Sequence, residues 1–300
     1  METEAMLEPK RLRLAVAQTT LREDPCNSVQ LRSGGREIRR LMCEAHVAGA
    51  RLVHFPEGAT CSPHKRIMSI NGPDQVGPAD WGRVQWDVLQ QELNETAALA
   101  RELRLWTVLG SVHQLTPPHR PHNSLYVISD RGEVVMRYDE RMLSKTKLDF
   151  MYTPGSLPVT FQVDGLRFGC SVGMECQFVE VFSEYERLDV DCVLFSTAGP
   201  GRPNNRGVFA TQVQALAAMN SYWVSYAALG QDEGAPSGLI SPDGEWLSQC
   251  PQQSKSAVAV FDLDNSEQNL ARPWRRKVRA GIYAPHLVCN DARSDNRKTF

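Results

Sequence analysis

A chain of 300 residues that is 42% hydrophobic and 23% charged has the make-up of an ordinary soluble globular protein, with length enough for a sizeable core. Its formal net charge of −2 argues against a general nucleic-acid or anionic-membrane partner. The one dense basic stretch, RPWRRKVR at 272–279, reads as a solvated or interface segment.

The start, METEAMLEPKR, carries no apolar signal core, and no apolar run approaches the ~18 residues of a membrane span. Eight cysteines are scattered without a C-x-x-C pair or zinc spacing to histidine, so neither a metal site nor a disulfide framework is indicated. A reducing cytoplasm is the expected home.

In chain order, LRLAVAQ at 12–18 predicts a short apolar strand, and 28–48 has helical spacing through Leu31, Ile38, Leu41, Met42 and Ala45. A second strand at 51–55 ends in Pro56-Glu57-Gly58. A long helix at about 82–103 leads to a strand at 106–110, and segments 123–129 and 134–138 flank Asp130-Arg131-Gly132 as a hairpin. Next comes FGCSVGMECQFVEVF at 168–182, an apolar strand that stops at Gly173 and turns into a helix beginning at Met174. A helix at 179–188, a strand at 192–196, a helix at 209–220, a strand at 222–226 and a hairpin about Ser241-Pro242-Asp243-Gly244 complete the pattern. Alternating strands and helices without a linker predict one α/β domain over 1–300, with 1–10 and about 286–300 as tails.

Carboxyl ends of strands in open α/β sheets are where ligands bind, which draws attention to Glu57, the loop after Tyr138 and the elbow at Gly173. Taken alone, Glu57 reads more simply as a surface loop glutamate.

Eight segments in one order change that reading: LRLAVAQ at 12–18, HFPEG at 54–58, NSLYVISDRGEVVMRYDE at 123–140, YTPG at 152–155, FGCSVGMECQFVEVF at 168–182, VDCVLFS at 190–196, AAMNSYWV at 217–224 and SGLISPDGE at 237–245. Together they resemble the carbon–nitrogen hydrolase, or nitrilase, superfamily along nearly the whole chain. The resemblance implies a four-layer αββα sandwich, action on a nitrile, amide or carbamoyl group of a small molecule, and no metal or organic cofactor. It also implies a homodimer or larger homo-oligomer, with the interface at helix 179–188 and at 271–285, which holds Trp274 and Tyr283.

The family's centre is a Glu base, a Lys, a Cys nucleophile and a supporting Glu. Glu57 matches the base. Glu140 stands where a Tyr-x-Lys motif puts the lysine, Lys147 falls within a residue or two of the second glutamate, and Gly173 occupies the nucleophile position. Glycine cannot form a thioester. Cys170 and Cys176 flank the elbow, but strand and helix geometry turn each away from its tip.

Three accounts follow. The chain acts on a small polar molecule without a thioester, with Glu57 as acid/base. Or it is a dead enzyme kept for binding or assembly. Or it is an amidase disabled by a Cys-to-Gly change at 173. Around the catalytic set, Met174, Glu175, Gln177 and Thr197 are expected to touch substrate, with His54, Trp81, Pro200 and Trp223 as further lining candidates.

Overall fold

Strand β1 (Arg11–Thr20) sets the layering through its alternation. Leu12, Leu14 and Val16 point into one apolar core, while Ala15 and Ala17 point into another on the opposite face. The computed structural model describes residues 10–199, 207–230, 234–252, 255–264 and 271–295.

On one side, β1 pairs in parallel with β2 (Leu52–His54), followed in order by β3 (Trp106–His113), β4 (His122–Ile128) and β5 (Val134–Asp139). β12 (Ala257–Asp264) lies antiparallel along β1. The second half runs β9 (Trp223–Gly230), β8 (Cys192–Thr197), β7 (Leu166–Val172), β6 (Thr160–Val163), with β10 (Gly238–Ile240) and β11 (Trp246–Gln249) beside β9. The halves join where Thr19 and Thr20 of β1 meet Leu229 and Gly230 of β9.

Between the two halves, Leu14, Leu52, Val108 and Leu125 of the first pack with Phe168, Cys170, Cys192 and Leu194 of the second. Helices α1 (Ser28–Val47) and α2 (Trp86–Leu103) cover the outer face of the first half, burying Ile38, Leu41 and Ala100 against Val53 and Leu109. Helices α3 (Val179–Arg187) and α4 (Val208–Asn220) cover the second, packing Phe182, Val213 and Leu216 against Val193 and Phe195. Helix, strand, strand, helix gives the four-layer αββα sandwich expected from the resemblance.

Two local features follow directly from residue chemistry. Asn27 caps α1, its Oδ1 accepting the Val29 and Gln30 N–H groups at 3.0 and 3.2 Å. Gly35 lets α2 approach closely, since a Cβ there would fall 1.7 Å from Glu92 Oε2.

The elbow corrects one expectation. Helix does not begin at Met174; a single 3₁₀ turn spans Gly173–Gln177, Phe178 is extended, and α3 starts at Val179. The cause is Glu175, whose carboxylate accepts the Val172 N–H at 2.8 Å and folds the chain back on the strand end. The strand β6, its turn into β7, and β12 were not expected from the sequence.

Contacts divide the chain into a unit through Ser266 and a second from Glu267 to Phe300. The second holds α5 (Ala271–Arg279) and α6 (Ala292–Asp295), and within it Trp274 and Tyr283 meet edge-to-face at 6.1 Å. Among the described residues, no helix is long and apolar enough to cross a membrane. Residues 1–9 and 296–300 of the expected tails, and Pro200, lie outside the described residues.

Candidate active site

Three backbone ends deliver three charges to one point. After β2, Phe55 and Pro56 carry the chain to Glu57, which is 6% exposed. Its Oε2 accepts the Ala198 N–H at 2.9 Å, just past β8. Its Oε1 accepts Asn123 Nδ2 at 2.9 Å and Lys147 Nζ at 2.6 Å.

Glu140 follows β5 and is pinned on both backbone sides, donating its N–H to the Asn123 carbonyl and accepting from the Gly155 N–H. Its fully buried carboxylate accepts Asn123 Nδ2 and Lys147 Nζ, both at 2.6 Å and both on Oε2. Oε1 has no hydrogen-bond partner among the described residues. Lys147 opens a wide π-helical turn, Lys147–Met151, and its side chain keeps 24% exposure, the most open of the three.

Gly173 completes the set. Its φ of +59° is in the left-handed region that glycine adopts without strain. A Cβ built on it would lie 3.0 Å from Glu140 Oε1, 3.2 Å from Glu57 Oε2 and 3.2 Å from Lys147 Nζ. The four residues singled out as catalytic in the sequence, Glu57, Glu140, Lys147 and Gly173, therefore lie together at one point.

A sequence profile described as "Carbon-nitrogen hydrolase" matches residues 13–273. The chain belongs to the carbon–nitrogen hydrolase family. A protein described as a hydrolase in Mycobacterium tuberculosis is 25% identical over 278 residues, covering 85% of this chain and 90% of that protein. The solved structure of an amidase of the nitrilase superfamily from Nesterenkonia, in a cysteine-to-alanine variant, aligns with a TM-score of 0.68 at 20% identity, covering 93% of this chain and 98% of the amidase. The glutamine-dependent NAD+ synthetase of Acinetobacter baumannii aligns at 0.66 and 19% identity, covering 85% of this chain but 46% of the synthetase.

Within this family member, burial and neighbouring charge divide the ionisable groups. Burial pushes the Glu140 carboxyl up to about 7 despite the pull of Lys147, and the negative charge of Glu57 adds to the rise. Burial alone would drive Lys147 toward the neutral amine, but Glu140 and Glu57 outweigh it and the net shift is upward. The site therefore holds a secure ammonium and one carboxyl able to carry a proton near neutral pH. His54, at the end of β2, is pushed down to about 3 by burial. It stays neutral between the Ser196 and Ser225 hydroxyls, each at 2.8 Å, and braces the strand that presents Glu57.

The expected ligand-contacting residues are placed differently. Glu175 is fully buried, with Tyr138 Oη on both oxygens at 2.7 Å, the Arg141 N–H on Oε1 at 2.7 Å, and Ser171 Oγ and the Val172 N–H on Oε2 at 3.0 and 2.8 Å. It braces the back of the elbow. Thr197 is buried with its hydroxyl accepting the Gly199 N–H at 2.9 Å. Met174 packs on the α3–α4 core, and Gln177 is exposed. Trp81 donates to the Met151 carbonyl at 2.9 Å, and Trp223 to that of Asp264 at 3.2 Å.

Both flanking cysteines are buried. Cys170 is buried in the core between the sheet halves. Cys176 points its sulfur at the Gly173 carbonyl and at Gln212 Oε1, 3.5 and 3.4 Å away. Burial pushes both thiols up, against the thiolate.

Sequence reasoning missed Asn123 and the Ala198 N–H. Asn123 had a legible signal. It shares the inward face of β4 with Leu125 and Val127, so a polar side chain opens an otherwise apolar row.

Proposed function

We propose that the chain hydrolyses a carbon–nitrogen bond of a small amide-type molecule directly, without an acyl-enzyme. Glu57 is the general base, Glu140 the general acid, and Lys147 the cation nearest the developing oxyanion. One observation carries the reading. The pair with exchanged polarity, Glu140 and Lys147, closes around Glu57, and the unpartnered Glu140 oxygen lies beside the place where a nucleophile's side chain would begin.

In the proposed reaction, water attacks the carbonyl carbon as its proton passes to Glu57 Oε2. Two of the three ammonium hydrogens of Lys147 are taken by Glu57 and Glu140, which leaves one for the oxyanion. As the C–N bond breaks, the proton on Glu140 moves to the leaving nitrogen; Glu57 then gives up its proton to solvent and Glu140 takes one back, which resets the pair. The balance is R–CO–NH₂ + H₂O → R–COOH + NH₃.

Support for a small amide comes from the Nesterenkonia amidase, whose cysteine-to-alanine variants are described in complex with butyramide and, with a second change, acrylamide. A cysteine-free site of this fold thus holds a small amide, and butyramide is the first probe.

The test is ammonia release from butyramide by the native chain, with intact-protein mass measured during turnover. Release without an acyl adduct is expected. An adduct on Cys170 or Cys176 would overturn the direct route. No release from butyramide or related amides, with butyramide still bound, would make the chain a binding protein.

A further inference from the structure

The donors in the site are unevenly shared, and Asn123 is the reason. Its amide nitrogen spans both carboxylates, giving one hydrogen to Glu57 Oε1 at 2.9 Å and the other to Glu140 Oε2 at 2.6 Å. Lys147 repeats the bridge on the same two atoms, at 2.6 Å each. Four hydrogens therefore fall on two oxygens, and Glu140 Oε1 receives none from the described residues. Turned over, the Asn123 amide would set its carbonyl oxygen against two carboxylates, so chemistry permits this orientation and opposes the other.

Asn123 also holds Glu140 through the backbone, its carbonyl accepting the Glu140 N–H at 2.9 Å. Side chain and main chain together fix where the acid can turn. The residue is 3% exposed on β4, which is hydrogen-bonded on both sides to β3 and β5 and is a rigid platform rather than a loop.

We infer that Asn123 is a positioning residue that sorts the two carboxylates into acid and base: it occupies Glu140 Oε2 and Glu57 Oε1 from behind, so that the proton sits on Glu140 Oε1 and the free lone pair on Glu57 Oε2, both turned toward Gly173. A proton on Glu140 Oε2 would face two donors and is disfavoured. This inference rests on the roles proposed above for Glu57 and Glu140, but its test does not need turnover.

The groups acting on Glu140 come from every side: Lys147 from the turn after β5, Glu57 from the end of β2 and Glu175 from the elbow. Asn123 adds donors without charge. It favours the charged form of both carboxylates, so its loss moves the Glu140 titration upward.

The experiment follows the carboxyl carbon of Glu140 and the side-chain amide of Asn123 by NMR across pH. In the native chain, both Asn123 amide hydrogens are expected to be protected from exchange and to shift with the Glu140 midpoint. In Asn123→Leu that midpoint rises, and in Asn123→Asp it rises further because a third carboxylate joins the cluster. With butyramide, Asn123→Leu is expected to lower kcat about 10–100-fold with KM nearly unchanged, and to move the alkaline limb of the pH profile with the midpoint.

An unmoved Glu140 midpoint in folded Asn123→Leu would overturn the inference. So would native Asn123 amide signals that ignore the Glu140 titration, a reading that stands even if the variants do not fold. Inactivity of the native chain on butyramide would count against the proposed reaction, while the amide titration would still decide the role of Asn123.

Discussion

Two buried glutamates flank the elbow, both fully shielded from solvent, and they are put to opposite uses. Glu175, behind the turn, receives hydrogens from Tyr138, Arg141, Ser171 and Val172, so both oxygens are spoken for. Glu140, in front, has both donors on Oε2 and none on Oε1. Burial is the same; the number and placement of donors differ. The saturated carboxylate is a fixed anchor that ties β5 and β7 together. Burial, helped by the charges of Glu57 and Glu175, raises the Glu140 carboxyl to about 7 against the pull of Lys147, so it can exchange a proton.

The comparison breaks most sharply at the base. Glu57→Gln keeps the shape of the cluster but removes proton acceptance, and butyramide turnover is expected to fall about a thousand-fold. Steady-state ammonia release measures it. The same change is also expected to cost some stability, because Asn123, Lys147 and the Ala198 N–H are all donors and the glutamine NH₂ must face one of them.

Behind the elbow the effect is on stability. Glu175→Ala strands the Tyr138 and Ser171 hydroxyls and the Val172 and Arg141 N–H groups in the core. A loss of about 3–5 kcal/mol is expected in denaturant unfolding. An equal loss from Glu140→Gln would erase the distinction between the two carboxylates.

Lys147 sharpens the contrast further. Lys147→Met leaves Glu57 and Glu140 facing each other without a cation, and partial exposure of the site limits the loss to about 2–3 kcal/mol at pH 8. The loss shrinks at pH 5, where Glu140 is protonated. Pairing Lys147→Met with Glu140→Met is expected to recover most of it, since a matched apolar pair leaves no second buried charge.

The smallest effect is the pH slope itself. Because the folded carboxyl of Glu140 is raised from 4.5 to about 7, its contribution to stability is complete below about 4.5 and is lost as pH rises through about 7. Unfolding titrations of Glu140→Gln are expected to be flatter across that window than those of the native chain.

Much of this was legible in the residues. Apolar runs marked β1, β2, β3 and β8, whose two faces feed the central and outer cores, and the resemblance picked out Glu57, Glu140, Lys147 and Gly173 as candidates. What could not be read came from long-range pairing. Asn123 and Ala198 reach Glu57 across 66 and 141 positions of chain, joined only by the sheet. Glu175 belongs to the elbow, which makes it a candidate substrate contact, but the 3₁₀ turn swings it back onto Val172. Strand β12 carries a clear alternation in AVAVFDLD, but its antiparallel place beside β1 depends on a partner more than 230 residues away.

The central claim is that proton transfer by Glu57 and Glu140, and no thiol, drives the chemistry above Gly173. The most direct test is butyramide turnover by a chain carrying Cys170→Ala and Cys176→Ala, compared with the same chain carrying Glu57→Gln as well. The account predicts that turnover survives loss of both cysteines and disappears with Glu57→Gln. Turnover that disappears with the cysteines, or persists without the Glu57 carboxylate, would contradict it.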